Sequence, residues 1–333
     1  MSKRQLLADV LSKAGLLRAL EFAPSRPGIL IFNHHRIGNP ARSSFDRAVF
    51  SSTADQLDAQ VRYLKNRMPI VSGNELEALV SGRTKLRRMH AAITFDDGYL
   101  DNYTKAFPVL KSHNATGIFF LITSYVGTPT VPWWDEIACL IRSTSAPSLK
   151  LTFPFPETIQ LGEDRETSIR TVLRRFKLPE NHDYDGFLSE LREQTQASVP
   201  HPPRRFLSWD EAREMKAAGM EIGSHTRSHR LLSQLTPQEQ FQELSESKVE
   251  MERELGGRVG SFAYPVGTRD AFTPVTEELA RSAGYSMCFA FHGGINRPGH
   301  LRAMHLNRTT PGKNATAFRA QTILVSAFTR ANA

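Results

Sequence analysis

Seven short apolar runs, each of strand length and composition, punctuate the sequence between residues 28 and 309, with helical patterns between them. They read "GILIFNHH" (28–35), "AAITFDD" (91–97), "TGIFFLIT" (116–123), "MEIGSH" (220–225), "SFAYPVG" (261–267), "YSMCFAF" (285–291) and "LRAMHLNRT" (301–309). Such alternation is the pattern of βα units around a mostly parallel sheet or barrel, so the fold class is α/β. Helices are expected over 53–67, 102–113, 208–219, 236–257 and 273–284. Ser208, Thr236 and Thr273 have N-cap chemistry, and Gly219, Gly256 and Gly284 stand where a helix end takes a left-handed residue.

The stretch 127–207 breaks the alternation with a Pro- and charge-rich segment, and reads as an insertion of two or three helices over one mouth of the core. Residues 1–27 read as an amphipathic helix and linker: Leu6, Leu7, Val10, Leu11, Leu17 and Leu20 fall on one face, either docked on the domain or lying on a membrane surface. The main body is expected over 28–312, with 313–333 a tail or helix. Asp9, Lys13, Arg18 and Glu21 interrupt what a signal peptide would need as an apolar core, so a cytoplasmic or membrane-face location is expected.

Lys and Arg exceed Asp and Glu by 42 to 34, a net charge of +8. No basic run exceeds "KLRRMH" or "RTVLRRFK" and no recognition motif accompanies either, so nucleic acid is not expected as a partner. Two cysteines 149 positions apart, Cys139 and Cys288, give neither a disulfide framework nor a C-x-x-C site.

The chemistry concentrates where the apolar runs end. Asp96 and Asp97 follow "AAITF" directly, at the strand end where parallel sheets and barrels keep their sites. Two adjacent carboxylates in a partly buried place either cap the helix beginning near Tyr99 or are compensated by a proton or a cation. His225 and His229 follow "MEIG" with four-residue spacing, which puts two imidazoles on one face of a helix or tight turn. One carboxylate with two histidines makes a facial metal triad with coordination positions left for water and substrate. "SFAYPVG" ends in Pro265 and Gly267, which either bend a backbone amide toward an oxyanion or make a plain turn.

"TFDDG", "HTRSH" and "FAYPVG", in this order, resemble the first three motifs of the polysaccharide deacetylases, the NodB-homology carbohydrate esterases. "FNHHRIG" and "LSWDEAREMKAAGMEIGSHT" resemble the family's flanking text, and "VPWWDEIACLIR" a subgroup associated with exopolysaccharide synthesis. The resemblance implies a distorted (β/α) barrel of seven strands, a divalent metal (Zn2+, with Co2+, Ni2+ or Fe2+ as alternatives), and an N-acetylated glycan as substrate. Carried over by residue, it implies Asp97, His225 and His229 as metal ligands and Asp96 as general base. It further implies an oxyanion site around Tyr264, Pro265 and Val266.

Two departures stand out. Ala263 occupies the position where many members carry an Arg that orients the base, so that partner is missing or supplied from elsewhere. The late motif whose His protonates the leaving amine has no clean counterpart; His305 and His35 are the candidates. Trp133 and Trp134 are candidates for stacking on sugar faces, as is Trp209. The rivals to a glycan N-deacetylase are a hydrolase of a non-sugar amide on the same barrel and a glycan-binding module with a degenerate site.

Overall fold

The computed structural model describes residues 16–21, 25–200 and 204–328. The seven apolar runs pair in parallel and close on one another. The strands are β1 (Gly28–His34), β2 (Met89–Phe95), β3 (Ile118–Leu121), β4 (Glu221–Ser224), β5 (Ser261–Ala263), β6 (Met287–Ala290) and β7 (Leu306–Thr309). Each neighbours the next in sequence, and β7 returns to β1, where Ile31 stands opposite Arg308. The result is the distorted seven-stranded (β/α) barrel that the family resemblance implies, where the alternation alone left sheet or barrel open.

Strand alternation sorts the side chains into two layers. Ile29, Ile31, Ala92, Ile118, Phe120, Met287, Phe289 and Leu306 form one buried cluster that fills the barrel. Their neighbours Leu30, Phe32, Ile93, Phe95, Phe119 and Phe262 face the surrounding helices. Burying each of the Ile, Leu, Met and Phe side chains contributes about 1.5–3 kcal/mol, so register is strongly specified: a slip of one residue would exchange the layers.

The connecting helices begin and end as their caps dictate. Thr53, Ser208, Thr236 and Thr273 each close a capping box, and Gly219, Gly256 and Gly284 take positive φ at the helix ends. The helix expected over 102–113 instead opens with a π-helical turn, Asn102–Ala106, before the α-helix Phe107–Ser112. Pro108 supplies no N–H to that turn and its ring crowds the carbonyl four residues back, which widens the turn.

The described residues of the segment from 127 to 207 carry three helices, Trp133–Ser143, Arg165–Phe176 and Tyr184–Thr195, and an antiparallel hairpin pairing Ser148–Leu151 with Glu157–Gln160. Its own core gathers Trp133, Trp134, Ile137, Phe176 and Phe187. It returns to the barrel through Leu100 N–H to Arg205 O and Leu207 N–H to Gly98 O, which strap it to the turn after β2.

Of the N-terminal pattern, Leu6, Leu7, Val10 and Leu11 lie outside the described residues. Leu17, in the helix Leu16–Glu21, is buried against Ala320 and Ile323 of the C-terminal helix Ala315–Phe328, and Glu21 accepts a hydrogen bond from Arg319. No helix among the described residues is long and apolar enough to cross a membrane.

Candidate metal and catalytic centre

Asp96 continues the ladder of β2 by one residue, its N–H donating to His34 O at 2.9 Å, so its side chain points inward in line with Thr94. Asp97 then leaves the strand with φ 75°, a conformation that costs a non-glycine residue about 1–3 kcal/mol. This backbone reversal, rather than strand alternation alone, turns the two carboxylates apart. Of the six non-glycine residues with positive φ among the described residues, four lie in these loops: Asp97, Thr226, His229 and Val266. The others, Asn114 and Gln196, follow helices.

Asp97, His225 and His229 converge, one ligand atom from each lying within 4.8 Å of the others. Asp97 Oδ1 is 3.6 Å from His225 Nε2 and 3.5 Å from His229 Nε2. His225 Nδ1 lies 2.7 Å from Ala263 O. A carbonyl only accepts, so Nδ1 carries the proton and Nε2 presents its lone pair to the carboxylate. The residue standing where an Arg was expected thus contributes its backbone oxygen.

The electrostatics fit a cation. Burial pushes the Asp97 carboxyl well above its usual range, with Asp96 and Asp135 adding to the effect. Burial pulls the His225 imidazole down to about 4 and His229 well below its ordinary value, so both are neutral, the form that ligates. Asp97 Oδ1 is buried and accepts no hydrogen bond, nor do its neighbours donate one. A divalent ion would supply the missing compensation, and a set of two imidazoles and one carboxylate suits it.

Asp96 is compensated differently. Arg308, in β7, reaches both of its oxygens, Nη1 to Oδ1 at 2.6 Å and Nη2 to Oδ2 at 2.9 Å. Asn33 Nδ2 adds a third hydrogen bond at 3.0 Å. Arg308 is itself fixed by Ala290 O, Asn33 Oδ1 and Thr94 Oγ1, and is only 1% exposed. Burial opposes ionisation of Asp96, but Arg308, His225 and His35 outweigh it and hold its carboxyl well below the usual range. Neither carboxylate caps the following helix.

A family model described as "Polysaccharide deacetylase" matches residues 83–288. The chain belongs to the polysaccharide deacetylase family. IcaB from Ammonifex degensii has the same fold, with a TM-score of 0.59 at 22% identity over 92% of this chain and 99% of that one. A deacetylase of Streptococcus pyogenes, PplD, solved with acetate, gives 0.56 at 18% identity over 91% and 99%. Among curated proteins, YxkH of Bacillus subtilis (strain 168) is 22% identical over 299 residues, 89% of this chain and 76% of that one. As a polysaccharide deacetylase the protein is a hydrolase acting on the carbon–nitrogen bond of N-acetyl groups.

The deacetylase match contains Asp96, Asp97, His225 and His229 but neither His35 nor Arg308. His35 follows β1, its Nε2 3.9 Å from Asp96 Oδ2, with its side chain 29% exposed. Its backbone is pinned by Ser51 Oγ and Asn102 Nδ2. His305 is elsewhere: it precedes β7 with the parity of the outer layer and is held between Glu277 at 2.7 Å and His292 at 2.9 Å. Strand alternation that carries Leu306 and Arg308 inward carries His305 out.

Tyr264 is also an outer-layer residue. Its ring stacks on Phe272, its hydroxyl donates to Met304 O, and its N–H is spent on Phe289 O, so it offers the centre nothing. Pro265 is buried in the turn. Val266, at φ 61°, has an N–H without an acceptor among the described residues and remains a donor candidate. Trp133 and Trp134 are buried rather than open to a sugar face. Trp134 packs its ring 4.6 Å from that of His229 and donates to Tyr99 OH at 2.7 Å, while Trp133 stacks on Phe176. Tyr99 in turn donates to Asp135, which also pairs with Arg205, so the insertion braces the histidine loop.

Arg308 is the residue that motif reading passed over. The signal was present: a strand-length run, "LRAMHLNRT", that places an arginine among positions otherwise fit for burial.

Proposed function

We propose that the protein removes N-acetyl groups from an N-acetylamino-sugar glycan of an envelope or exopolysaccharide pathway, with zinc held by Asp97, His225 and His229, Asp96 as general base and His35 as general acid. The observation that carries this reading is the division of two adjacent carboxylates, one clamped by Arg308 and one left unpaired facing two neutral imidazoles.

When bound, the metal supplies Lewis-acid polarisation of the acetamide carbonyl and a more acidic water. Asp96, kept anionic by Arg308, is positioned to take the proton of the attacking water. The Val266 N–H is available to the acyl oxygen as negative charge develops on it. His35, reaching the same carboxylate from the more exposed side, delivers a proton to the departing amine. The reading of a degenerate binding module rested on a missing arginine and acid; Arg308 and His35 favour the catalytic one.

The test is acetate release from a panel of N-acetylated oligosaccharides and small amides, with metal analysis of the purified protein. Turnover of N-acetyl glycans that is lost in Asp97→Asn is expected; turnover of small amides alone would overturn the glycan reading.

A further inference from the structure

Beside the catalytic mouth lies a second cleft of about 470 Å³, between the loop that follows His35 and the π-helical turn. Its charged lining is Arg36, Arg42 and Lys105, with no carboxylate, and it is also lined by Phe45 and Phe50, which carry the Arg205 and Arg36 guanidinium groups on one ring face at 3.8 and 4.4 Å. Arg36 ties the cleft to the centre: it directly follows His35, lies over the Tyr99 ring at 4.9 Å, and is neutralised beneath by Asp101 at 3.0 Å. Arg42 and Lys105 have no carboxylate in contact among the described residues, although Asp101 acts on Lys105 from a distance. Both are exposed, neither forms an ion pair among the described residues, and Lys105 Nζ meets only the carbonyl of Ile37, at 3.1 Å. Asp46, in the same loop, is buried and turned to Ala48 N–H.

The cleft is held open by a glycine. A Cβ at Gly38 would stand 3.2 Å from Lys105 Nζ and 3.2 Å from the Phe50 ring, so a side chain there would fill the space in front of the ammonium group. Two cations without a contacting carboxylate, on a cleft lined by cation-stacked aromatic rings and reached from the mouth, match an anionic group borne on a sugar.

We propose that this cleft binds an anionic substituent, a carboxylate or a phosphate, on a sugar neighbouring the one that is deacetylated, so that the substrate is an acidic N-acetylated glycan. The inference rests on the glycan-deacetylase reading for the meaning of "neighbouring", while the binding itself does not depend on turnover. Exposed charge pairs are individually weak, so two of them should favour an acidic over a neutral glycan by about tenfold in affinity, less as salt is raised.

The test measures calorimetric binding of hyaluronan hexasaccharide and of its uncharged methyl ester to the zinc-loaded full chain, with acetate release followed in the same samples. The acid is expected to bind about tenfold more tightly. That preference is expected to vanish in Arg42→Ser/Lys105→Ser, and in Gly38→Val, which keeps the charges but fills the cleft. It should survive in Arg87→Ser/Arg88→Ser, an equal loss of charge before β2. Equal affinity for the two ligands, no binding of either, or equal loss in the control pair would overturn the proposal. Competition by glucuronate and by N-acetylglucosamine 1-phosphate identifies the anion by the better competitor; failure of both would also overturn it. Charge-selective binding without acetate release from any glycan would sink the deacetylase reading alone, and acetate release without charge selectivity would sink this inference alone.

Discussion

Arg308 and Asp96, 212 positions apart in sequence, form a two-point ion pair inside the barrel, with N–O distances of 2.6 and 2.9 Å. The guanidinium fork matches a carboxylate geometrically as an ammonium group does not, so the pair fixes both the charge and the orientation of Asp96.

Replacing Arg308 with Gln leaves a buried carboxylate without its cation, which should cost about 3–5 kcal/mol of stability at pH 7. The folded-state pKa of Asp96 is depressed, so its contribution is full above about 3.9 and is lost as pH falls through the lower folded value. Arg308→Gln should erase that contribution and move the acid limb of kcat/KM upward, with Arg308→Lys in between. Urea denaturation and a pH–rate profile check both; an unmoved acid limb would show that Asp96 is not the base.

Asp97→Asn and His225→Ala should each abolish zinc retention and acetate release. In the wild type, zinc at a hundredfold excess over its Kd should stabilise the fold by about 2.7 kcal/mol, an effect absent from both variants. Thermal denaturation with and without zinc reads this independently of activity.

His35→Gln should lower kcat by about 10²–10⁴-fold while zinc content stays stoichiometric and KM changes little. Burial lowers the His35 pKa, Asp96 opposing and Arg308 assisting, so the alkaline limb should fall below the ordinary imidazole range and be lost in the variant. His305→Gln should leave the rate and both limbs in place.

Trp134→Ala should remove about 3–5 kcal/mol of packing and weaken zinc binding, because the indole backs the His229 ring. Trp134→Phe should recover most of both. A change in KM for glycan with zinc affinity intact would instead favour direct sugar contact.

The sequence by itself determined the elements and most of the centre. Apolar runs of strand length, capping boxes at Thr236 and Thr273, and glycines at helix ends are local signals, because backbone propensity and hydrogen-bond satisfaction act over a few residues. The pairs Asp96 with Asp97 and His225 with His229 were legible as candidates for the same reason: each pair sits on one loop, so its spacing is visible in the sequence.

Only the tertiary structure decided who supports them. Whether His35 or His305 stands beside Asp96 depends on which side of a strand each falls, and whether Trp134 faces a sugar or His229 depends on how the insertion folds back. The partner of Asp96 could not be read near Ala263, because β7 closes the barrel against β1 and brings Arg308 across from Ile31. Closure puts residues from the two ends of the chain in contact, and it follows from burying seven strands around one core rather than from any local pattern.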